Sequence, residues 1–331
     1  MSRGLLAPII AAGLVLLFWT LAWACYALAF RRHENEKTLT VFDEKRYGRF
    51  APAMRAGQGY YRGLAFEEAE ISSFDGLRLH ARVCGAEAGK PLLLLLHGWR
   101  SSAARDFGCV LEFYRAQGFG LILVDQRAHG KSGGKTISFG VHERRDCLAW
   151  ARWADERYHP SAMYLDGISM GAATVLMTSE FDLPASVRGI IADCGYTSPR
   201  DILKKVIRQC HLPVAPIYFL VRLGAHVFGR FDPEAASAAR ALEQCRVPAL
   251  FIHGEADGFV PCDMSRENYA RCAAPKALVT VPGADHGFSY LVDREGVEAA
   301  LRRFFRETDA PLRDGKAARA EERARSANSP S

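Results

Sequence analysis

The sequence predicts an α/β fold with a mostly parallel central sheet flanked by helices on both faces. Short, nearly continuous apolar runs alternate along the chain with longer stretches of helical periodicity. This alternation is typical of buried parallel strands joined by helices. The predicted strands are 77–83, 92–96, 121–124, 163–165, 187–192, 249–252 and 277–281. The predicted helices are 105–117, 141–156, 170–179, 264–273 and 294–305.

A second observation is a composition that can fill a core of this size. Of the 331 residues, 49% are hydrophobic and 24% are charged, which are ordinary values for globular proteins. The net charge of +6 is unevenly placed, because residues 31–62 carry a balance of +4 whereas residues 63–305 sum to zero. A neutral body lacks the basic face that nucleic-acid binding requires, so no nucleic-acid partner is expected.

The N-terminal segment predicts a membrane anchor over residues 1–30. Residues 5–30 contain no charged side chain, and Trp19, Trp23 and Tyr26 gather near their C-terminal end. A helix of this length reaches about 39 Å, which exceeds a hydrocarbon core of about 30 Å. A cleaved signal peptide is the alternative, with Ala22 and Ala24 forming a small-x-small site before Cys25. The apolar run is longer than such peptides use, which favours an uncleaved signal anchor with a single transmembrane helix.

The charges that flank the anchor favour a cytoplasmic body. Six Lys or Arg residues follow the apolar run within twenty positions, whereas Arg3 is the single one before it. Positive charge stays on the cytoplasmic side, so the following domain is expected on that face of the membrane. Residues 31–62 are predicted to be a basic juxtamembrane linker, and residues 306–331, rich in Ala, Arg, Glu and Ser, a disordered tail.

Residues 63–305 are predicted to form the folded domain, with one insertion. Residues 200–246 break the alternation with about 45 mostly helical residues, which is long enough for a lid above the sheet. Within the lid, residues 212–228 are apolar around nearly the whole helix and are expected to lie over the functional site, with Phe219 and Leu223 facing it. The nine cysteines contain no CxxC pair, so no zinc ribbon is expected.

A Gly-x-Ser-x-Gly motif at Gly167–Gly171 predicts a nucleophile, Ser169. The motif lies between a predicted strand and a helix that opens in small residues. A sharp strand-to-helix turn projects the serine hydroxyl clear of the sheet, and glycines two positions before and after it avoid collisions between strand and helix. The helix N-terminus also points N–H groups at a developing oxyanion.

A serine nucleophile needs a base that a carboxylate orients. His286 follows the last predicted strand, and Asp257 lies in the loop after the preceding one, so the chain order is Ser169, Asp257, His286. All three lie at the carboxyl edge of the predicted sheet, where α/β proteins place their sites. Asp193 is a rival acid at the end of strand 187–192. His253 is interpreted as structural.

The backbone N–H groups of Trp99 and Met170 are the predicted oxyanion hole. Trp99 follows the His97-Gly98 turn at the end of strand 92–96, and Met170 follows the nucleophile. The polar turn 125–133 lacks the Gly-x-x-x-x-Gly-Lys-Ser/Thr spacing of a phosphate-binding loop and is interpreted as structural.

These segments together resemble the α/β-hydrolase family, and more narrowly its membrane-anchored, serine aminopeptidase-like esterase branch. The resemblance covers roughly residues 64–305 and rests on five motifs in family order: the His97-Gly98 turn, the 125–133 turn, the Gly167–Gly171 elbow, HGEADGFVP and PGADHG. It implies an eight-stranded, mostly parallel sheet and hydrolysis through an acyl-enzyme. Two positions depart from the pattern, Ala128 and the charged Asp166 before the elbow.

The predicted function is a serine hydrolase of a carboxylic ester, thioester or amide, esterase-like or lipase-like, acting at a membrane on a small-molecule or lipid-like acyl substrate. Acyl transfer to serine and then to water needs no metal and no organic cofactor, so none is expected. A serine peptidase of the same fold is the alternative enzyme. A non-catalytic, membrane-tethered binding module is the alternative outside enzymes.

Overall fold

The computed structural model describes residues 3–32 and 48–308, and these contain one eight-stranded sheet. The strand order is β1-β2-β4-β3-β5-β6-β7-β8, in which β1 and β2 are antiparallel to their neighbours and all later pairs are parallel. The strands are β1 (Glu67–Ser72), β2 (Arg78–Cys84), β3 (Leu92–Leu96), β4 (Gly120–Asp125), β5 (Met163–Ile168), β6 (Val187–Asp193), β7 (Ala249–Gly254) and β8 (Lys276–Val281).

The helices cover both faces of this sheet. They are α1 (Arg3–Ala29), α2 (Ala51–Gly63), α3 (Ala103–Asp106), α4 (Leu111–Ala116), α5 (Glu143–Tyr158), α6 (Met170–Thr178), α7 (Pro199–Gln209), α8 (Val214–Gly224), α9 (Ala238–Leu242), α10 (Cys262–Arg271), α11 (Ser289–Val292) and α12 (294–308). A π-helical turn, Ala225–Gly229, extends α8.

The central strand β3 shows how the sequence specifies the two layers. It consists of five leucines, all buried, and it pairs in parallel with β4 and β5. Because side chains alternate along a strand, Leu92, Leu94 and Leu96 join one apolar core while Leu93 and Leu95 join the other. A strand buried on both faces reads as a continuous apolar run, so its prediction over 92–96 is confirmed.

Strand β1 was missed in the prediction because it is an edge strand with polar residues. Its sequence, EEAEIS, has no buried side chain and pairs along one side with β2. Glu68 of this strand contacts His80 and Lys131 instead of the core. Charged residues on an edge strand prevent the sheet from pairing with another chain. The same residues remove the apolar pattern from which a strand is predicted.

Part of the predicted linker over 31–62 is a packed helix, which corrects that prediction. Helix α2 occupies Ala51–Gly63 and buries Met54 and Tyr61. Gly57 lies so close to the backbone of Gly108 and Cys109 that a side chain there would collide with it. One of the glycines that indicated a loop, Gly57, therefore permits close packing. Residues 33–47 of the predicted linker lie outside the described residues.

Two further boundaries differ from the predictions. The helix predicted over 105–117 is divided into α3 and α4, which are separated by a turn at residues 107–110. The predicted tail begins later than 306, because α12 continues to Thr308, whose hydroxyl lies 2.7 Å from that of Tyr164. The rest of the predicted tail, 309–331, lies outside the described residues.

The predicted position of the lid over the nucleophile is wrong for helix α8. This helix packs against α1, where Gly224 approaches the Ala22 carbonyl oxygen and Tyr26. Phe219 has 59% of its surface exposed, and no residue of 200–246 lines the cavity beside Ser169. The apolar circumference that indicated a roof over the site instead contacts the N-terminal helix on one side.

Helix α1 is the one described helix that is long and apolar enough to cross a membrane, over Ala7–Ala29. Its side chains are mostly exposed along its length, but Ala22, Tyr26 and Phe30 at its C-terminal end are buried against the body. The Phe30 ring meets Phe139 and Phe231 edge-on, with centroids 5.6 and 5.1 Å away. The end of α1 is therefore part of the folded domain.

Candidate active site

Ser169 lies on a strained turn between β5 and α6. Its φ of 57° falls in the left-handed region, which costs a non-glycine residue energy and is seldom retained without a structural reason. A Cβ on Gly167 would collide with the Gly171 backbone, and one on Gly171 would collide with the Leu96 carbonyl. The sequence-based reason for glycine at both positions is confirmed. The turn leaves the Ser169 hydroxyl at the carboxyl edge of the sheet.

The structure brings His286 and Asp257 to this hydroxyl. His286 Nε2 lies 2.9 Å from Ser169 Oγ, and His286 Nδ1 lies 2.7 Å from Asp257 Oδ2. His286 follows β8 and Asp257 follows β7, so two neighbouring parallel strands deliver them to the same edge. With Nδ1–H donating to the carboxylate, Nε2 is free to accept the hydroxyl proton.

The Asp257 carboxylate is completely buried yet ionised. Burial alone favours the neutral acid, but hydrogen bonds outweigh it and hold the pKa of Asp257 well below its usual range. His286 donates to this carboxylate, and the backbone N–H groups of Phe259 and Val260 donate to its Oδ1, each at 2.8 Å. His253 Nε2, which donates to the Val260 carbonyl, lies 3.2 Å from Asp257 Oδ2. His253 is structural as predicted, and its role is specific because it fixes the acid.

Asp193, the rival acid, does not contact His286 through a hydrogen bond. Its carboxylate accepts from Ser289 Oγ at 3.1 Å. Burial raises the pKa of Asp193 to about 6, against the attraction of His253. The pKa of Asp193 is raised whereas that of Asp257 is lowered, so the geometry and the electrostatics both favour Asp257 as the carboxylate beside His286.

The loop after β3 leaves one N–H group unused beside Ser169. The Gly98 N–H donates to Asp106 Oδ2 at 2.7 Å, the Arg100 N–H to His129 Nε2 at 3.0 Å, and the Ser101 N–H to the Gly98 carbonyl at 3.3 Å. Within residues 3–32 and 48–308, the Trp99 N–H has no hydrogen-bond partner.

The Met170 N–H is the matching group on the other side of the serine. It belongs to the first residue of α6, where a helix has no internal acceptor to offer. The two N–H groups predicted from the sequence are thus both available. Trp99 lines the same cavity as Ser169, and Met170 directly follows Ser169 in the chain.

A cavity of about 390 Å³ adjoins Ser169 and His286. It extends between the sheet and helices α2, α4 and α12. Its walls are largely apolar, because these elements turn their buried faces toward it. Members of these walls include Met54, Val110, Ile191, Val297 and Leu301. A volume of this order suits a small organic group, and apolar walls favour an aliphatic or aromatic one.

A buried carboxyl group interrupts the apolar wall. Asp166 is 2% exposed, and the Tyr114 hydroxyl donates to its Oδ2 at 2.7 Å. Burial raises the pKa of Asp166 to about 7, the Tyr114 hydrogen bond opposes the rise, and the charge of Asp193 adds to it. Sequence reasoning gave no role to Asp166, because its partner lies 52 residues earlier on α4.

Comparison with known proteins agrees with this architecture. Residues 91–240 match a family model described as the alpha/beta hydrolase fold. The esterase Pf2001 of Pyrococcus furiosus superimposes with a TM-score of 0.59 at 21% identity, covering 75% of this chain and 93% of that one. The chain has the α/β-hydrolase fold.

Two curated relatives share part of this α/β-hydrolase sequence. YqkD of Bacillus subtilis, described as an uncharacterized protein, is 26% identical over 189 residues, which are 56% of this chain and 62% of the relative. Lysophosphatidylserine lipase ABHD12 of Danio rerio is 26% identical over 200 residues, which are 58% of this chain and 50% of the relative. The chain thus spans half to just under two thirds of these relatives.

Cys194 lies beside the acid and the histidine of this candidate site. Its sulfur and one ligand atom each of Asp257 and His286 lie within 4.8 Å of one another, a spacing that a metal ion could use. Metals bind the thiolate, however, and burial raises the pKa of Cys194 well above its usual value. The His286 nitrogen that faces Asp257 is also engaged in a hydrogen bond. The donor set fits a hydrogen-bonded network better than a metal site.

The turn 125–133 supports the site from behind. His129 is fully buried, and burial lowers its pKa to about 3, so the neutral ring accepts from the Arg100 N–H while Nδ1 donates to the Arg127 carbonyl. Arg127 in turn pairs with Asp146 and Asp75. The interpretation of this turn as structural agrees with these contacts.

Proposed function

We propose that the protein is a serine hydrolase that cleaves a carboxylic ester, thioester or amide through an acyl-enzyme. The observation that carries this proposal is the continuous chain from Ser169 Oγ through His286 to the buried, ionised Asp257. Such a chain beside an apolar cavity is the arrangement that acyl transfer to serine requires.

Each residue has a role that follows from its contacts. His286 Nε2 accepts the hydroxyl proton as Ser169 Oγ attacks the substrate carbonyl carbon, and Asp257 stabilises the imidazolium that forms. The N–H groups of Trp99 and Met170 donate to the oxyanion of the tetrahedral intermediate. His286 then gives its proton to the leaving group, which departs and leaves an acyl-Ser169 ester.

The second half of the cycle uses the same groups. His286 accepts a proton from a water molecule that attacks the acyl-Ser169 carbonyl. Collapse of the new tetrahedral intermediate breaks the bond to Oγ, and His286 returns the proton to Ser169. The products are the carboxylic acid and the first leaving group, and every proton is accounted for without a cofactor.

The cavity supports a small, largely apolar substrate group. Its walls are mainly aliphatic and aromatic, and its volume of about 390 Å³ lies in the lower part of the range for small-molecule sites. An esterase among the similar structures and a lipase among the relatives support ester cleavage over peptide cleavage.

We also place the enzyme at a membrane, with α1 as a single-pass anchor. The exposed apolar side chains of α1 support this, together with the positive charges that follow the helix. Outside α1, exposed large hydrophobic side chains are concentrated in 212–228, which adjoins the end of α1: Leu212, Phe219, Val227 and Phe228. The same charges favour the cytoplasmic face for the body.

Labelling with a fluorophosphonate probe tests the activity without a known substrate. The native chain should label and should hydrolyse p-nitrophenyl acetate, whereas Ser169→Ala should do neither. Ser179→Ala is the matched control, because Ser179 is a buried serine at the far end of α6. Labelling of Ser169→Ala, or none of the native chain, would reject the proposal in favour of a binding module. Faster cleavage of an anilide than of the matching ester would favour a peptidase.

A further inference from the structure

The C-terminal end of α1 is held by the loop that carries the Trp99 N–H. A helix leaves its last carbonyl oxygens without internal partners. Here the Trp99 indole Nε1–H donates to the Ala29 carbonyl at 3.1 Å. Arg100 Nη2 lies 2.9 Å from the Leu28 oxygen, 3.1 Å from that of Arg31 and 3.4 Å from that of Ala27. Two adjacent residues therefore engage four carbonyl groups at this helix end.

The contact is electrostatically favourable as well as geometrically close. The C-terminal end of a helix carries partial negative charge, so a guanidinium group there stabilises it. The Arg100 guanidinium also lies 4.2 Å from the centre of the Trp99 ring, which couples the two side chains to each other. They engage α1 as one unit.

The loop is strained and needs such contacts to keep its shape. Arg100 has a φ of 49°, a left-handed value that costs an ordinary residue about 1–2 kcal/mol. Its N–H is held by His129, and the flanking Gly98 N–H and Ser101 hydroxyl are held by Asp106. The Trp99 N–H remains free at the centre of these contacts.

We propose that the end of α1 positions the oxyanion-binding loop, and that Arg100 and the Trp99 indole are positioning residues for the Trp99 N–H. This inference rests on the proposed serine hydrolase function. The N-terminal helix is then a component of the active site and not only an attachment to the membrane. Loss of the contacts to the carbonyl groups of α1 lets the strained loop relax, and the Trp99 N–H then moves away from the oxyanion.

Arg100→Ala and Trp99→Phe test the inference in the full-length chain. Trp99→Phe removes the indole N–H but keeps the backbone donor and an aromatic ring. Removal of an oxyanion donor costs about 100- to 1,000-fold in kcat, so displacement of one should cost at least about ten-fold. KM should change less than about three-fold, because the donor acts on the transition state. Affinity for a trifluoromethyl ketone, which forms an oxyanion on Ser169, should fall in parallel with kcat.

Arg32→Ala is the matched control at the same junction. Arg32 attaches the chain after α1 to the carbonyls of Gly130 and Ser132 and does not contact the loop 98–101. The kcat of Arg32→Ala should stay within about two-fold of the native value. Arg100→Lys should retain part of the kcat that Arg100→Ala loses, because the lysine charge still reaches the helix end.

Three results would overturn the inference: an unchanged kcat in Arg100→Ala and Trp99→Phe, a loss of equal size in Arg32→Ala, or a KM effect without a kcat effect. If Arg100→Ala does not fold, Trp99→Phe decides. Labelling of the native chain at Ser169 tests the proposed function separately, so a failure of the inference leaves that function standing.

Discussion

The Tyr114 hydroxyl donates a hydrogen bond to the buried Asp166 carboxyl group, 2.7 Å away, at the wall of the cavity beside Ser169. The pair places a polar group in a largely apolar wall. Because burial raises the pKa of Asp166 to about 7, this carboxyl group is half protonated near neutral pH. Its ionisation therefore affects stability within an accessible pH range.

Asp166→Asn should remove a pH-dependent cost to folding. The unfolded Asp166 has an ordinary pKa near 4, so between about pH 4 and pH 7 the native state retains a proton that the unfolded state releases. The stability of the native chain therefore falls as pH rises through this window. The variant should gain on the native chain by up to about 4 kcal/mol over the same range. Thermal unfolding in detergent from pH 4 to 8 measures it, and a constant difference between the two chains would refute the assignment.

Asp257→Asn should lower kcat by about 10³- to 10⁴-fold without unfolding the protein, because the amide cannot stabilise the His286 imidazolium. Asp193→Asn is the comparison, since Asp193 contacts Ser289 and not His286. Its kcat should change by less than about ten-fold. Steady-state hydrolysis of p-nitrophenyl acetate at equal Tm distinguishes the two, and a larger loss in Asp193→Asn would reverse the assignment of the acid.

The proximity of the candidate site residues could be predicted because each lies in a local pattern. Ser169 lies in a five-residue motif between a strand and a helix, and Asp257 and His286 each follow a predicted strand. Parallel strands end at one edge of the sheet, so the positions in the chain already imply proximity. The exact partners depend on tertiary packing. Tyr114 and Asp166 are 52 residues apart in the sequence, so no local pattern predicts their contact.

The fold elements that were missed have physical reasons too. Strand β1 has acidic residues because it is an exposed edge, and α2 has a glycine at position 57 because its backbone approaches that of Gly108 and Cys109 there. The lid helix is apolar, as the sequence shows, but an apolar face does not say which neighbour covers it. Here the neighbour is α1, and the cavity is lined by helices α2, α4 and α12.

Leu291→Trp should shift chain-length preference, because Leu291 lines the cavity and is partly exposed to it. Each buried CH₂ of a substrate adds up to about 0.8 kcal/mol of binding. A larger side chain there should therefore lower kcat/KM on octanoyl esters at least about ten-fold more than on acetyl esters. Phe219→Trp, at an exposed position outside the cavity, should leave the ratio unchanged. If Phe219→Trp changed this ratio and Leu291→Trp did not, the lid and not the cavity would select the substrate.

Phe219 provides a test of the membrane-facing surface. Its side chain is 59% exposed on α8, which packs against the end of the proposed anchor, so in a membrane it should contact lipid. A Phe219→Cys chain in a Cys210→Ser background would be labelled with the fluorophore NBD and placed in phosphatidylcholine vesicles. The emission should be blue-shifted and quenched by brominated lipid. Phe74→Cys is the control, because Phe74 is also exposed but lies beside the charged groups of Arg127 and Arg145.

The two probe positions distinguish three outcomes. Quenching at position 219 and not at 74 supports α8 as a lipid-contacting surface continuous with α1. A blue shift at 219 without quenching by brominated lipid would show that protein covers the helix, which contradicts lipid contact. A water-like emission at both positions would place α8 outside the bilayer and confine membrane contact to α1. In that case the exposed apolar side chains of 212–228 would have no lipid partner, and the proposed contact of this surface with the membrane would be wrong.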